Sequence, residues 1–144
     1  MVHVLIHMGL LGGRETSETI AKMLNTNPVV VRRTMGALKA QGIVSSEGGR
    51  RGGWTLQRTL AELTILDIQR ALDDGPRLAP GTSTDHPSCP VENATNAALR
   101  GAFAVAEGVL RAEFARLTLA DLAKTAQAAH AAGASPAAAA SGTV

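Results

Sequence analysis

The sequence predicts a mainly α-helical chain with a small β-wing: a winged helix-turn-helix followed by a long C-terminal dimerisation helix. Three observations predict it. Two short amphipathic segments flank a polar turn at Asn25-Thr26-Asn27, a Gly-rich stretch then lies between two strand-like runs, and apolar residues recur at steps of three and four over residues 99–117.

Taken in order, Val2, Leu5, Ile6 and Leu10 fall at helical spacing and open the chain in a helix that Gly12-Gly13 ends. His3 and His7 sit on it one turn apart, a spacing that suits a metal. With no cysteine or carboxylate beside them they read as ordinary helix residues. Ser17 is expected to cap the second helix, with Ile20, Ala21 and Leu24 packing inward. For the third helix Asn27 is the N-cap, and Pro28 takes the first position, where its missing N–H is no loss. Gly42 is the stop. On this helix Val31, Met35 and Leu38 share one face. Val29, Arg32, Arg33 and Gly36 share the opposite one, with Lys39 at its flank.

Ile43-Val44, a loop over residues 47–53 and Trp54-Thr55-Leu56 read as strand, loop and strand. A Gly-rich loop can cradle phosphate, but that pattern needs a Gly-Lys-Ser/Thr ending and a following helix, and this one leads into a strand. Its glycines instead permit a tight hairpin and a close approach to a DNA backbone, with Arg50 and Arg51 at the tip reaching phosphates or the minor groove. The same loop also reads as a solvated basic turn. Trp54 is expected to fill core rather than to contact a ligand.

Thr64 and Asp67 have capping-box spacing and open a helix whose Ile65, Ile68 and Leu72 are expected to face inward, closed by Gly75-Pro76. Residues 76–90 hold four of the chain's six prolines and read as a linker. From Pro90 a long helix is expected with two apolar stripes: Leu99, Phe103, Ala106, Leu110, Phe114 and Leu117, and beside them Ala98, Ala102, Val105, Val109 and Ala112. Two stripes exceed what so small a domain needs, so one is expected on its own domain and the other on a second copy. Thr118 to Ala123 reads as a short capped helix, and the Ala-, Gly-, Ser- and Pro-rich residues from about 130 as disordered. The organisation expected is therefore a winged helix-turn-helix DNA-binding domain over 1–75, a linker or sensor loop over 76–90, a dimerisation helix and short helix over 91–129, and a tail over 130–144.

Composition bounds the function. A chain of 144 residues fits one domain plus an accessory element. No run of about 18 apolar residues is present to span a membrane, and Met1 to Leu11 lacks a basic n-region and a cleavage site, so a secretory signal is not expected. One cysteine makes no internal disulfide, which suits the cytoplasm. Residues 1–58 hold eight Lys/Arg against three Asp/Glu, whereas residues 59–144 hold six against nine, so the chain's +2 conceals a basic half that coincides with the helix-turn-helix. Two Phe, one Trp and no Tyr give no platform for stacking single-stranded bases, which points to duplex DNA. No nucleophile–base pair stands out, and no catalytic residue is assigned.

These residues in this order resemble the Rrf2 family of bacterial transcription regulators. The resemblance rests on Ile20-Ala21, Leu24, Pro28, Val31-Arg32-Arg33, Leu38 and Gly42-Ile43-Val44; on the wing from Gly49 to Leu56; and on Leu63-Thr64-Ile65-Leu66-Asp67-Ile68. Cys89-Pro90-Val91 and Thr118-Leu119-Ala120-Asp121-Leu122 extend it to roughly residues 2–125. It implies a homodimer with one winged helix-turn-helix per subunit, joined through the long helix and repressing from near-palindromic operators. The family's first helix begins several residues before the position of Met1, which leaves either an upstream start or a short helix. Cluster-binding members, including the IscR and NsrR regulators, carry three closely spaced cysteines before the long helix. Here Cys89 stands alone, with Asn93, Ala94, Asn96 and Ala97 downstream. Clusters are normally held by four thiolates and a dimer of this chain supplies two, so the family's ligands do not carry over. Mixed ligation by Cys89 with His86 or Glu92 is the remaining route, and no cofactor or metal is assigned.

Cys89 falls at the expected start of the long helix, a place that favours a thiolate. It reads as a sensor thiol or, with equal weight, as an inert buried cysteine. The function expected is a homodimeric, sequence-specific DNA-binding regulator, a repressor, with thiol switching at Cys89. The alternatives are a winged-helix module for an acidic protein partner and a regulator that answers to a small ligand without redox sensing.

Overall fold

The computed structural model describes residues 1–49, 52–72, 86 and 88–132. The element order is α1 (Val2–Leu11), α2 (Ser17–Leu24), α3 (Pro28–Ala40), β1 (Val44–Glu47), β2 (Gly53–Leu56), α4 (Ile65–Leu72), α5 (Pro90–Arg116) and α6 (Leu119–Ala131). The fold is mainly helical with one two-stranded antiparallel sheet, in the register Val44↔Leu56 to Glu47↔Gly53. A bridge between Glu15 and Trp54 adds the segment leading into α2 to the wing's edge, through Glu15 N–H to Trp54 O at 3.0 Å and Trp54 N–H to Glu15 O at 2.8 Å.

The third helix is bounded as its sequence dictates. Asn27 Oδ1 accepts from Val29 N–H at 2.7 Å, and Pro28 opens the helix. At the other end Gly42 N–H bonds Lys39 O at 2.9 Å and Ile43 N–H bonds Leu38 O at 3.0 Å, a Schellman stop. The stop requires positive φ at Gly42 (66°), and it turns Ile43 back into the core beside Leu38.

The cap of α2 differs from expectation. Thr16, not Ser17, is the N-cap, its hydroxyl accepting from Thr19 N–H at 3.1 Å. Ser17 is buried, and its Oγ accepts from the Trp54 indole N–H at 3.0 Å. Trp54 is therefore half-buried against the core, as its type suggested.

The inner face of α1 is Val4, Leu5 and Met8, whereas Leu10 is 49% exposed. Val2, Ile6 and Leu10 lie on a second apolar face, beside His3 and His7, and with Ala126 of α6 they line a groove of about 760 Å³. On α4 the buried residues are Leu66, Ile68 and Gln69, while Leu72 is exposed. The expectation for Leu72 fails because α4 is covered on both sides, by α3 and by α5, which draws Leu66 inward instead. Gly75-Pro76 lies outside the described residues, as does most of the 76–90 stretch.

The chain returns to its start through α6. Thr64 and Thr118 form an isolated bridge: Ile65 N–H bonds Leu117 O at 3.0 Å and Leu119 N–H bonds Leu63 O at 2.8 Å. Each threonine heads a reciprocal capping box, with Asp67 and Asp121 respectively. Leu119 is fully buried in the core that holds Val4, Leu5, Ile20 and Met35. The helix runs to Ala131, longer than the short segment to Ala123 that the sequence suggested, and it takes in the first residues of the expected tail, His130 and Ala131; the rest of that tail beyond Ala132 lies outside the described residues.

Two predictions follow from this packing. Gln69 is 4% exposed, and among the described residues neither its Oε1 nor its Nε2 has a hydrogen-bond partner. An unsatisfied buried amide costs roughly 1–3 kcal/mol, so Gln69→Met is expected to raise the free energy of unfolding by an amount in that range, read from denaturant titration. The second concerns acid. Thr118 hydrogen bonds hold the Asp121 carboxyl below its ordinary value, and Thr59 does the same for Glu62. Burial pushes Asp67 up, but the Thr64 hydrogen bonds with Arg58 and Arg70 outweigh it and leave it lowered. Depressed carboxyls stabilise the fold fully above the unfolded values, about 4, and lose that contribution as pH falls through the folded ones. The denaturation midpoint should therefore drop between about pH 5 and pH 2, and drop less steeply in the Asp67→Asn, Asp121→Asn double variant.

Candidate nucleic-acid interface

The third helix is fixed from below and open above. Val31, Met35 and Leu38 are at most 1% exposed. Their burial is worth roughly 1.5–3 kcal/mol each, more than the about 1 kcal/mol that Gly36 costs in a helix. Rotation of α3 is thereby forbidden, and its other face is held to solvent. Val29, Val30, Arg32, Arg33, Gly36 and Lys39 are all exposed there, with Val29 at 58%.

The cations on this face differ in their surroundings. Arg32 Nη1 reaches Glu18 Oε1 of α2 at 3.4 Å. Lys39 Nζ donates to Ser46 Oγ of β1 at 2.7 Å, which ties the end of α3 to the wing. Arg33 has no partner among the described residues. Arg50 and Arg51, expected at the wing tip, lie outside the described residues. The wing itself is pinned to the domain. Arg14 Nη2 pairs with Glu47 Oε2 at 2.5 Å, and a Cβ at Gly53 would stand 2.6 Å from Arg14 Cγ and 2.8 Å from the Glu15 carbonyl oxygen, so only glycine lets the strand lie this close. Between α2, α3 and the wing is a cleft of about 340 Å³, bordered by Glu18, Arg32, Ser46, Glu47 and Gly52. Sequence reading missed Glu18 and Ser46. Glu18 lies fourteen positions from its partner, so only the folded turn brings the pair together.

Cys89 is the N-cap of α5, half-buried, and its side chain makes no capping hydrogen bond. Its N–H bonds His86 O at 2.9 Å, and His86 N–H in turn donates to Glu92 Oε2 at 3.0 Å, which occupies that carboxylate as part of the helix start. Among the described residues no three of His, Cys, Asp or Glu gather closely enough to hold a metal ion. One thiol per chain also does not fit the usual four-thiolate cluster.

The fifth helix is the least covered element. Over its 27 residues none is buried. Phe103, Leu110 and Phe114 are half-covered on the side that carries α4, while Val105 and Val109 are 70% and 61% exposed. Gly101 and Gly108 face open space. No helix among the described residues is long and apolar enough to cross a membrane.

Comparison with known proteins agrees with this architecture. Residues 1–125 match the Rrf2 family model, described as iron-dependent transcriptional regulator. YwnA of Bacillus subtilis (strain 168), named as an HTH-type transcriptional regulator, is 31% identical over 121 residues, covering 84% of this chain and 90% of that protein. Among solved structures, one of a protein named for DNA binding superposes with a TM-score of 0.64 at 31% identity, covering 84% of this chain and 97% of the other. CymR, the global cysteine regulator of B. subtilis, shares the fold with a TM-score of 0.60 at 21% identity, covering 85% and 88%. These relatives are DNA-binding regulators rather than enzymes. The chain belongs to the Rrf2 family of winged-helix transcriptional regulators.

Proposed function

We propose that the chain is a homodimeric repressor that acts in the cytoplasm and binds duplex DNA at a near-palindromic operator. The observation that carries the reading is the outer face of α3, where Val29, Arg32, Arg33 and Gly36 stand exposed beside the wing in the half of the chain with eight Lys/Arg against three Asp/Glu. In the major groove an arginine reads guanine through paired hydrogen bonds to O6 and N7. Lys39 and the wing arginines Arg50 and Arg51 anchor phosphates, which fix register without reading sequence.

The dimer is supported by α5. A helix with no buried residue and two interior glycines, each costing about 1 kcal/mol, is weakly held by its own domain. A second copy laid along Val105, Val109 and the small residues between them buries that face and lets the helices approach closely at Gly101 and Gly108. A two-fold axis then sets the two recognition helices about 34 Å apart, one turn of DNA. Cys89 caps the start of the same helix, and in this reading its oxidation alters the dimer.

The reading is tested with purified protein and a labelled duplex from its own promoter, under reductant and then oxidant, against scrambled DNA. Preferential binding that weakens on oxidation, and stays constant in Cys89→Ser, is the expected result. Preferential binding indifferent to oxidant would remove the thiol switch alone, and absence of preference would remove the reading as a repressor with an operator in its own promoter. In the same assay Arg33→Ala is expected to cost about 1–3 kcal/mol and to relax preference at one operator position. Val105→Asp is expected to shift the protein from dimer to monomer in sedimentation and to weaken operator binding with it; an unchanged dimer would exclude this face of α5.

A further inference from the structure

The ion pair between Glu18 and Arg32 has no evident structural purpose. Its partners are 3.4 Å apart, with side chains 63% and 54% exposed, and such pairs add little to stability. It nevertheless joins the two helices of the helix-turn-helix and places a carboxylate beside an arginine of the recognition face. Glu47 pairs with Arg14, which precedes α2, and both carboxylates border the space between recognition helix and wing. The cleft between recognition helix and wing thus carries two carboxylates, each paired with an arginine.

The geometry points to Glu18 as a specificity-determining positioning residue, an inference that rests on the DNA-binding reading above. A guanidinium has five N–H donors in a planar fork. Glu18 engages one Nη1 hydrogen of Arg32 and leaves the other donors to read a base edge. Held there, Arg32 offers guanine a fixed pair of donors. Should it swing instead to a phosphate, it must leave its carboxylate, and that carboxylate then repels the phosphate at close range. Capture of any DNA by its backbone is weakened, while capture of the right base is not.

The test is Glu18→Gln in the full chain, which keeps size and removes charge, with operator and scrambled duplexes titrated over a range of salt. Scrambled DNA is expected to bind about tenfold more tightly, with a salt slope steeper by about one unit for the additional phosphate contact. Operator affinity should change little, so the ratio between them falls about tenfold. In an Arg32→Gln background the same substitution should leave that ratio unchanged, because the effect acts through Arg32. Wild type that discriminates, together with a Glu18→Gln variant that discriminates equally well, would overturn this inference alone. An effect of Glu18→Gln that persists without Arg32 would also overturn it. Wild type without any preference would overturn the DNA-binding reading and this one with it.

Discussion

The burial of one face of α3 is the constraint on which the rest depends. Val31, Met35 and Leu38 are packed into a core shared by α1, α2, the start of β1 and the first residue of α6. Because the residues of a helix are fixed relative to one another, seating three of them determines where Arg32, Arg33 and Lys39 point. The caps then fix the helix along its axis. Asn27 sets the first turn, and the Schellman stop at Gly42 sends Ile43 into the same core before the wing begins. A recognition surface of exposed side chains is thereby held with the precision of a buried one.

The C-terminal part is tied to this domain at a narrow place. The backbone bridge between Thr64 and Thr118, with a capping box on each side, brings the start of α6 to the start of α4. Leu119 then enters the core fully buried. Before this bridge α5 runs over 27 residues without burying any of them. Its C-terminal end is fixed by that bridge, and along its length it packs against α4.

Much of this was legible in the sequence because it depends on local chemistry. The boundaries of α3, the Thr64 box and the glycine ends of α1 follow from residues within a few positions of one another. The failures arose where two local answers were equally good. Thr16 and Ser17 are both capable N-caps, and the choice was made by Trp54, which needs an acceptor for its indole N–H and finds it in Ser17, 37 residues away. On α1 the spacing of Val2, Leu5, Ile6 and Leu10 announced the helix without assigning its inner face, and packing in the fold seats Val4, Leu5 and Met8 inward. Leu72 lost its expected place to Leu66 and Gln69 for the same reason, since α4 is covered from two sides. Apolar periodicity reports that a face exists, not which neighbour will cover it.

The recognition face shows the same limit in electrostatic form. Sequence counting finds a basic half and assigns its cations together, as though each were equally available to a phosphate. In the fold they are not equivalent: Arg32 faces Glu18, Arg14 faces Glu47, Lys39 is hydrogen-bonded to Ser46, and Arg33 has no partner among the described residues. At separations of 3.4 Å or less these carboxylates offset much of the long-range attraction of the arginines beside them. The field that draws a polyanion is therefore weaker than the count of eight cations suggests, while the directional donors remain in place. A surface built this way gains less from binding any DNA and retains what it gains from the right DNA, and that difference is what specificity consists of.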